Sequence, residues 1–250
     1  MTHQDKPETA SDPCSSTLHI WREDQVIWIQ GRVYDNRPHK HQALQLVWSA
    51  PDTFAELHTE DANHRARALL IDGGVQHALH LEQGTIALVD SASSVANVLR
   101  TQFLGRDDGV GVSTMQCPES FEDPQAWLSS LSGAQHVIDP RVREVLAWLD
   151  SREEHTRWDE VSLDGALKLA HLSRSRFLHL FSAEVGSPWR TYLIWRRALV
   201  AMTFATRGMN LTEVAHASGY SDSAHLSRQF VALFGIVPSA LVEHSHFIQS

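Results

Sequence analysis

The sequence predicts a two-domain α+β protein, an N-terminal β domain followed by an all-α domain built from two helix-turn-helix units. Three observations predict it: charge is spread unevenly, the patterning changes class near residue 135, and the last third of the chain repeats itself. The net charge of −9 argues at first against nucleic acid, because phosphate binding needs local positive charge. Its distribution reverses that reading. Residues 1–140 carry −10 and residues 141–250 carry +1, rising to +4 when counted from Gly165. An acidic front and a mildly basic back imply two domains with different partners.

The composition, 42% hydrophobic and 20% charged, is that of a packed soluble chain with a sizeable core. No apolar run reaches the length of a bilayer span, and the polar, Pro- and Ser-containing start is not a signal peptide. The expectation is a cytoplasmic protein with no membrane partner, its residues 1–17 disordered. Cys14 and Cys117 stand far apart without CxxC spacing, so neither a disulfide framework nor a thiolate zinc site is indicated.

In chain order, QVIWIQG, ALQLVWS, ARALLIDGG and IALVDS are short apolar runs that read as strands, with Gly31, Asp72-Gly73-Gly74 and Gly84 as turn punctuation. Ser91 to Arg100 and Asp123 to Leu131 read as helices, the second opened by Asp-Pro. The segment from Pro118 to Gln135 reads as the connection between the domains, its Trp127, Leu128 and Leu131 packing on the β domain or forming a dimer surface. After Asp139-Pro140 the pattern is helical throughout. Leu163, Ala166, Leu167 and Ala170 fall at helical spacing, as do Leu211, Val214, Ala215 and Ser218. A shift of 49 residues superposes Phe181 on Phe230, Phe177 on Leu226, Leu167 on His216 and Gly186 on Gly235. Each copy is a short helix, a turn, and a second helix beginning after Ser173 or Ser221 and ending at a glycine. A long helix from about Trp189 to Arg207 separates them. The resulting division is residues 1–17, a β domain over 18–115, a helical linker over 116–138, and the helical domain over 139–250.

A helix lying in a major groove must present polar residues near its N-terminus while apolar positions anchor it from behind. In the first copy Phe177, Leu180 and Phe181 point inward, leaving Arg174, Ser175, Arg176, Leu178 and His179. In the second, Leu226, Phe230 and Phe234 point inward, leaving Ser223, Ala224, His225, Ser227 and Arg228. Arg228 suits a guanine, since its fork meets O6 and N7 together. Arg174, Arg176, Arg190 and Arg197 are candidates for phosphates, with helix N-terminal amides adding contacts. The plainer alternative for the arginines is a solvated face or pairing with Glu184 and Glu213.

The stretch Asp164 to Ser239, above all LTEVAHASGYSDSAHLSRQFVALFGIVPSA, closely resembles the DNA-binding domain of the AraC/XylS family of bacterial transcription regulators. The second copy carries the family's Ala and Gly-Tyr-Ser before the recognition helix, Leu226-Ser-Arg-x-Phe within it, and Phe-Gly-x-x-Pro after it. The first copy departs from the pattern, with Ala166-Leu167 for Leu-Ala, His171 for the turn glycine, and a Gly186-Ser187-Pro188 segment one residue shorter. The resemblance implies double-stranded DNA as the partner, base-facing roles for Ser175, Leu178, His179, Ser223, Ala224, Ser227 and Arg228, an internal role for Arg197, and consecutive major grooves about 34 Å apart. RNA polymerase and a second copy of the chain are further partners that it implies.

Members of that family commonly carry a cupin-type β-barrel in front, and residues 20–90 are similar to one. Where the cupin motifs place Gly, His-x-His, Glu and a later His, this chain has Gly31, His39, His41, Gln45 and His77. In HKHQALQ a strand would aim His39, His41 and Gln45 to one face. Three imidazoles suit a divalent transition metal, but Gln45 brings no charge and removes a candidate general base. His39, His41, Gln45 and His77 are therefore read as the lining of a small-molecule effector pocket, with metal binding at the three histidines as the alternative and no cofactor assigned. His244-Ser245-His246 reads as a solvent-exposed tail. No nucleophile elbow, phosphate loop or HExxH is present, and Asp107-Asp108 and Glu153-Glu154 read as solvated loop acids. The sequence thus predicts a regulator and not an enzyme. Its competitors are a metal-dependent cupin enzyme and a constitutive DNA-binding protein whose barrel only dimerises.

Overall fold

The computed structural model describes residues 18–33, 37–104, 111–115, 123–131, 138–154, 158–206, 208–235, 237–238 and 245–247. Cys14, Cys117, Asp107, Asp108, Arg207 and His244 lie outside them, as does the disorder expected of residues 1–17.

Nine strands among the described residues form one sheet: β1 (Leu18–Glu23), β2 (Val26–Val33), β3 (Leu44–Ser49), β4 (Ala55–Thr59), β5 (Asn63–Ala66), β6 (Ala68–Ile71), β7 (His77–Val89), β8 (Val112–Thr114) and β9 (Ser245–Phe247). The main path runs β8-β6-β3-β7-β2-β1-β9, with β4 and β5 branching from β7. Every pairing is antiparallel except that of β1 with β9. The path does not return on itself among the described residues, so the cupin-like domain is an open sheet and not a closed barrel. β7 organises it. One edge pairs with β2, while the other takes β3 at Gly84–Val89 and then β4 at His77–Leu81.

Two glycines read as turns lie inside strands. Gly31 of β2 sits opposite Gly84 of β7, beside a register shift between Gly31 and Val33. A Cβ on Gly84 would stand 2.0 Å from the Trp48 carbonyl oxygen. Close backbone approach, not a turn, accounts for that glycine. The tight turn is Asp24-Gln25 between β1 and β2, where Asp24 takes φ 50°. The C-terminal tail is also corrected: Ser245, His246 and Phe247 extend the sheet against Leu18, His19 and Ile20.

Strand alternation sorts the side chains onto two faces. Trp28, Leu44, Leu46, Trp48, Ala87 and Val89 share one cluster with α1 (Ser94–Leu99), the π-helical turn Arg100–Leu104 that continues it, and α2 (Pro124–Ser130). The expected start of α1 at Ser91 moves to Ser94, because the Ser93 hydroxyl accepts from Ala96 N and so makes Ser93 the N-cap. Trp127 of α2 meets Trp48 edge-on at 6.0 Å, so the linker helix packs on the sheet. The opposite face, with Ile27, Val47, Ile71, Ile86 and Leu88, is continuous with the core of the helices that follow.

Those helices are α3 (Pro140–Glu154), α4 (Leu163–Ala170), α5 (Arg174–Val185), α6 (Trp189–Thr206), α7 (Leu211–Ala217) and α8 (Ser223–Phe234). Glu153 and Glu154 fall in the last turn of α3 and not in a loop. The repeat is real but has two registers. The second helices superpose at a shift of 49, whereas the first helices, 163–170 and 211–217, superpose at 48. Leu167 therefore matches buried Ala215 and not exposed His216. The left-handed residue after the first helix is His171 (φ 51°) in one copy and Gly219 (φ 75°) in the other, and the second turn holds one residue more before its helix. For the same reason α8 begins after Asp222 and not after Ser221.

Segments of the β domain outside its strands hold the C-terminal ends of both second helices. The Arg37 amide donates to the Gly235 carbonyl at 3.3 Å and the Lys40 amide to the Ala232 carbonyl at 3.2 Å. A Cβ on Gly186, the C-cap of α5, would stand 2.9 Å from an Arg100 guanidinium nitrogen, which places a cation at the negative end of that helix. Between these anchors Tyr192 of α6 reaches Asp90 after β7, its hydroxyl 3.3 Å from each carboxylate oxygen. Arg196 donates to that hydroxyl at 3.1 Å and to Asp150 at 2.7 Å. Burial pushes the Asp90 carboxyl up despite Arg196.

One substitution tests this docking. Gly208 (φ 80°) and Gly235 (φ 72°) carry the same backbone strain, but a Cβ meets nothing within 4 Å at Gly208 and the Arg37 oxygen at 2.6 Å at Gly235. Gly208→Ala is expected to cost about 1 kcal/mol and Gly235→Ala about 1–3 kcal/mol more, read as urea unfolding midpoints. Equal costs would mean that the sheet does not bear on α8.

Candidate nucleic-acid interface and histidine cluster

Within the helical domain each second helix has a buried and an open side. Phe177, Phe181 and Val185 are buried on α5, and Leu226, Phe230, Leu233 and Phe234 on α8. Phe181 packs edge-on against Trp189 at 5.1 Å, and the Phe230 and Phe234 rings pack tilted at 4.8 Å. On the open side Arg174, Ser175, Arg176 and His179 are exposed and Leu178 half-buried; Ala224 and Arg228 are exposed, and Ser223, His225 and Ser227 half-buried. The two helices therefore present corresponding open faces at the ends that the sheet leaves uncovered.

The two N-termini differ. At α8 the Asp222 carboxylate accepts from His225 N, and that bond with the Ser221 hydroxyl and nearby Arg228 holds the carboxyl below its ordinary range. At α5 Ser173 makes no side-chain cap bond. Three further details refine the expectations. Ser227 Oγ donates to the Ser223 carbonyl at 2.8 Å, so its proton is used inside the helix. Glu184 and Glu213 accept from the Asp139 and Asn210 amides, and among the described residues Arg174, Arg176 and Arg190 form no ion pair. Arg197 lies over the Tyr220 ring at 5.5 Å, an internal packing role.

HKHQALQ is not one strand. His39 forms an isolated bridge with His77, His41 lies in the connecting segment, and only Leu44 onward is β3. The side chains converge nonetheless. His39, His41 and His77 are 5%, 3% and 1% exposed and Gln45 3%, and one ring nitrogen from each histidine lies within 4.8 Å of the others. The ring Nδ1 atoms stand 2.9 Å from the Arg37 carbonyl oxygen, 3.1 Å from that of Ala43 and 3.0 Å from that of Val75. Gln45 Oε1 stands 2.9 Å from His41 Nε2 and 3.2 Å from His77 Nε2. Burial, reinforced by the neighbouring rings, takes His41 down to about 3 and His77 down to about 4; burial also lowers His39. All three rings are neutral at pH 7.

Neutral rings settle the tautomers. A backbone carbonyl only accepts, so each Nδ1 carries the proton and each Nε2 a lone pair. Two of those lone pairs then face Gln45, whose amide can turn to offer its two N–H groups, a reversal that a 180° rotation supplies. Trp195 of α6, missed by sequence reasoning because an apolar residue inside a helix reads as core, lies 5.5 Å from His41 and 5.8 Å from Phe234. Its Nε1 is buried with no hydrogen-bond partner among the described residues. Among those residues no helix is long and apolar enough to cross a membrane.

Comparison with known proteins agrees with this architecture. Residues 167–244 match the family model described as a helix-turn-helix domain. No curated protein matches the sequence. Among solved structures, an apo ToxT variant from Vibrio cholerae strain SCE256 is 11% identical at a TM-score of 0.58, over 89% of this chain and 98% of that one. ToxT from Vibrio cholerae O395 is 12% identical at a TM-score of 0.52, over 92% and 96%. At those identities the likeness shows the fold, and the helix-turn-helix match carries the function. Residues 167–244 are an AraC-type helix-turn-helix domain, and the chain that bears them on a ToxT-like two-domain fold is a DNA-binding transcription regulator.

Proposed function

We propose that the chain reads double-stranded DNA with α5 and α8 in consecutive major grooves and that its sheet domain tunes this binding in response to a small effector. The division is that of the sequence: 18–115 senses, 116–138 links, and 139–250 binds DNA. The observation that carries the reading is the pair of corresponding open faces, with polar side chains at the N-terminal ends and a clamp at the C-terminal ends.

Arg174, Arg176 and Arg190 position the domain on phosphates, helped by the uncapped amides of α5. Ser175 and His179 on α5, and Ala224 and Arg228 on α8, face the bases. Ser223 and His225 lie at the edge of that face, while Ser227 contributes little because its proton is committed within the helix. His39, His41, Gln45 and His77 receive the effector, which alters the clamp and so the population able to bind DNA. A second copy of the chain, RNA polymerase and a cytoplasmic setting belong to the same reading. Arg176→Ala is expected to weaken all sequences about equally and to reduce the salt slope by about one. Anisotropy titrations on cognate and random duplexes check it; an unchanged slope would remove Arg176 from the interface.

A further inference from the structure

The second recognition helix opens on a histidine whose neighbours fix its protons. The Ser221 hydroxyl donates to Asp222 Oδ2 at 3.0 Å and stands 3.1 Å from His225 Nδ1. Asp222 Oδ1 accepts from the His225 amide at 2.6 Å. The Tyr220 ring, itself buried and backed by Arg197, meets the imidazole edge-on at 5.3 Å and so limits how the ring can turn. His225 is half-buried at the edge of the open face of α8.

A hydroxyl has one proton to give. If Ser221 gave it to His225 Nδ1, an oxygen lone pair would face the Asp222 carboxylate, which is held ionised and only accepts. Given to Asp222, the proton leaves a lone pair on Ser221 Oγ that an Nδ1–H can meet. Only the second assignment satisfies both contacts, so Nδ1 carries the proton. In the neutral ring Nε2 then holds a lone pair. That nitrogen has no partner among the described residues and is not sealed from solvent.

The free nitrogen restricts what the ring can bind on DNA. A phosphate only accepts, as does Nε2, so the two cannot bond. The donors in the major groove are the N6 amino group of adenine and the N4 amino group of cytosine.

We propose that His225 is a specificity-determining residue that reads adenine or cytosine, accepting at Nε2 from the exocyclic amino group, with Ser221 and Asp222 as the positioning residues that fix its tautomer. The proposal rests on the reading of the chain as a regulator that sets α8 in a major groove. It divides the work on that helix: Arg228 donates and suits guanine, whereas His225 accepts and suits an amino-bearing base. The first copy has no counterpart. The shift of 49 sets Arg176 at the place of His225 and Ser173 at that of Asp222, and Ser173 makes no side-chain cap bond. One half-site therefore carries the amino-base position and the other lacks it.

The test uses the full chain at about pH 8, since a doubly protonated ring would donate at Nε2 and turn the preference to guanine. Nitrogen correlation spectra of the free protein, with the His225 signals assigned from His225→Gln, are expected to show Nδ1 protonated and Nε2 bare. That is the reverse of the form imidazole favours in water, and Ser221→Ala is expected to restore the ordinary mixture. In selection from random DNA the wild type is expected to restrict one position of one half-site to adenine or cytosine, distinct from the position that Arg228→Ala relaxes. His225→Ala is expected to lose that restriction and about fivefold in affinity for the selected site, with little change on random DNA. His225→Gln, whose amide both donates and accepts, is expected to fold and bind but to admit guanine at that position, a result that misfolding cannot mimic.

A protonated Nε2 in the wild type overturns the tautomer, and guanine or thymine at the position that His225→Ala relaxes overturns the base assignment. Equal losses on selected and random DNA place His225 on a phosphate and overturn the proposal. An unchanged selection by His225→Ala overturns the base contact and leaves the regulator reading standing. A bare Nε2 in a chain that selects no sequence overturns the regulator reading, and the base contact with it, while the tautomer stands.

Discussion

Trp195→Ala is expected to destabilise the folded chain by about 3–5 kcal/mol. The indole is 1% exposed and packs between His41 of the sheet domain and Phe234 at the end of α8. Its removal forfeits transfer energy and leaves a cavity where two domains meet, and the surrounding ridges come from different parts of the chain and cannot collapse together. The preceding residue supplies the control. Ile194 is 38% exposed, so Ile194→Ala is expected to change stability by no more than about 0.5 kcal/mol. Urea unfolding of the two variants checks the pair. A Trp195→Ala cost near that of Ile194→Ala would contradict the docking of the helices on the sheet.

Arg228→Ala is expected to weaken the cognate site by about 1–3 kcal/mol and to relax one base position. Arg228 is exposed on α8, on the side away from the buried Leu226 and Phe230. On random DNA the same variant is expected to lose far less, the reverse of the pattern for Arg176→Ala, where cognate and random DNA weaken together. Competition titrations at fixed salt distinguish the two. Equal losses on both DNAs for Arg228→Ala would reassign it to a phosphate.

The sequence disclosed the division into sheet and helices because that division rests on local signals: periodicity, Asp-Pro openings, and glycines at helix ends. It disclosed the repeat, since buried phenylalanines keep their spacing, but one shift could not describe two helices joined by turns of different length. A single shift pairs Leu167 with His216, because a residue inserted in a turn leaves the spacing within each helix unchanged. Gly31 and Gly84 look like turns in the sequence because a glycine forced by a neighbouring backbone resembles, in one dimension, a glycine forced by φ. The strand read across HKHQALQ failed for a related reason. His39 and His77 pair as an isolated bridge whose partner lies 38 residues away, and the convergence of three rings comes from that pairing and not from i, i+2 spacing. The C-terminal strand was illegible because its ladder is with β1, at the other end of the chain. Least legible was the attachment of the histidine segment to α8, which is made by backbone amides and by the absence of a side chain at Gly235.

Selection of bound sequences from random DNA at fixed salt tests the central claim most directly. Two recognition helices on one rigid linker helix predict two half-sites about one helical turn apart, with Arg228→Ala relaxing one position in one half-site only. A single half-site, or two half-sites at variable spacing, would contradict the reading of α5 and α8 as a pair that engages DNA together.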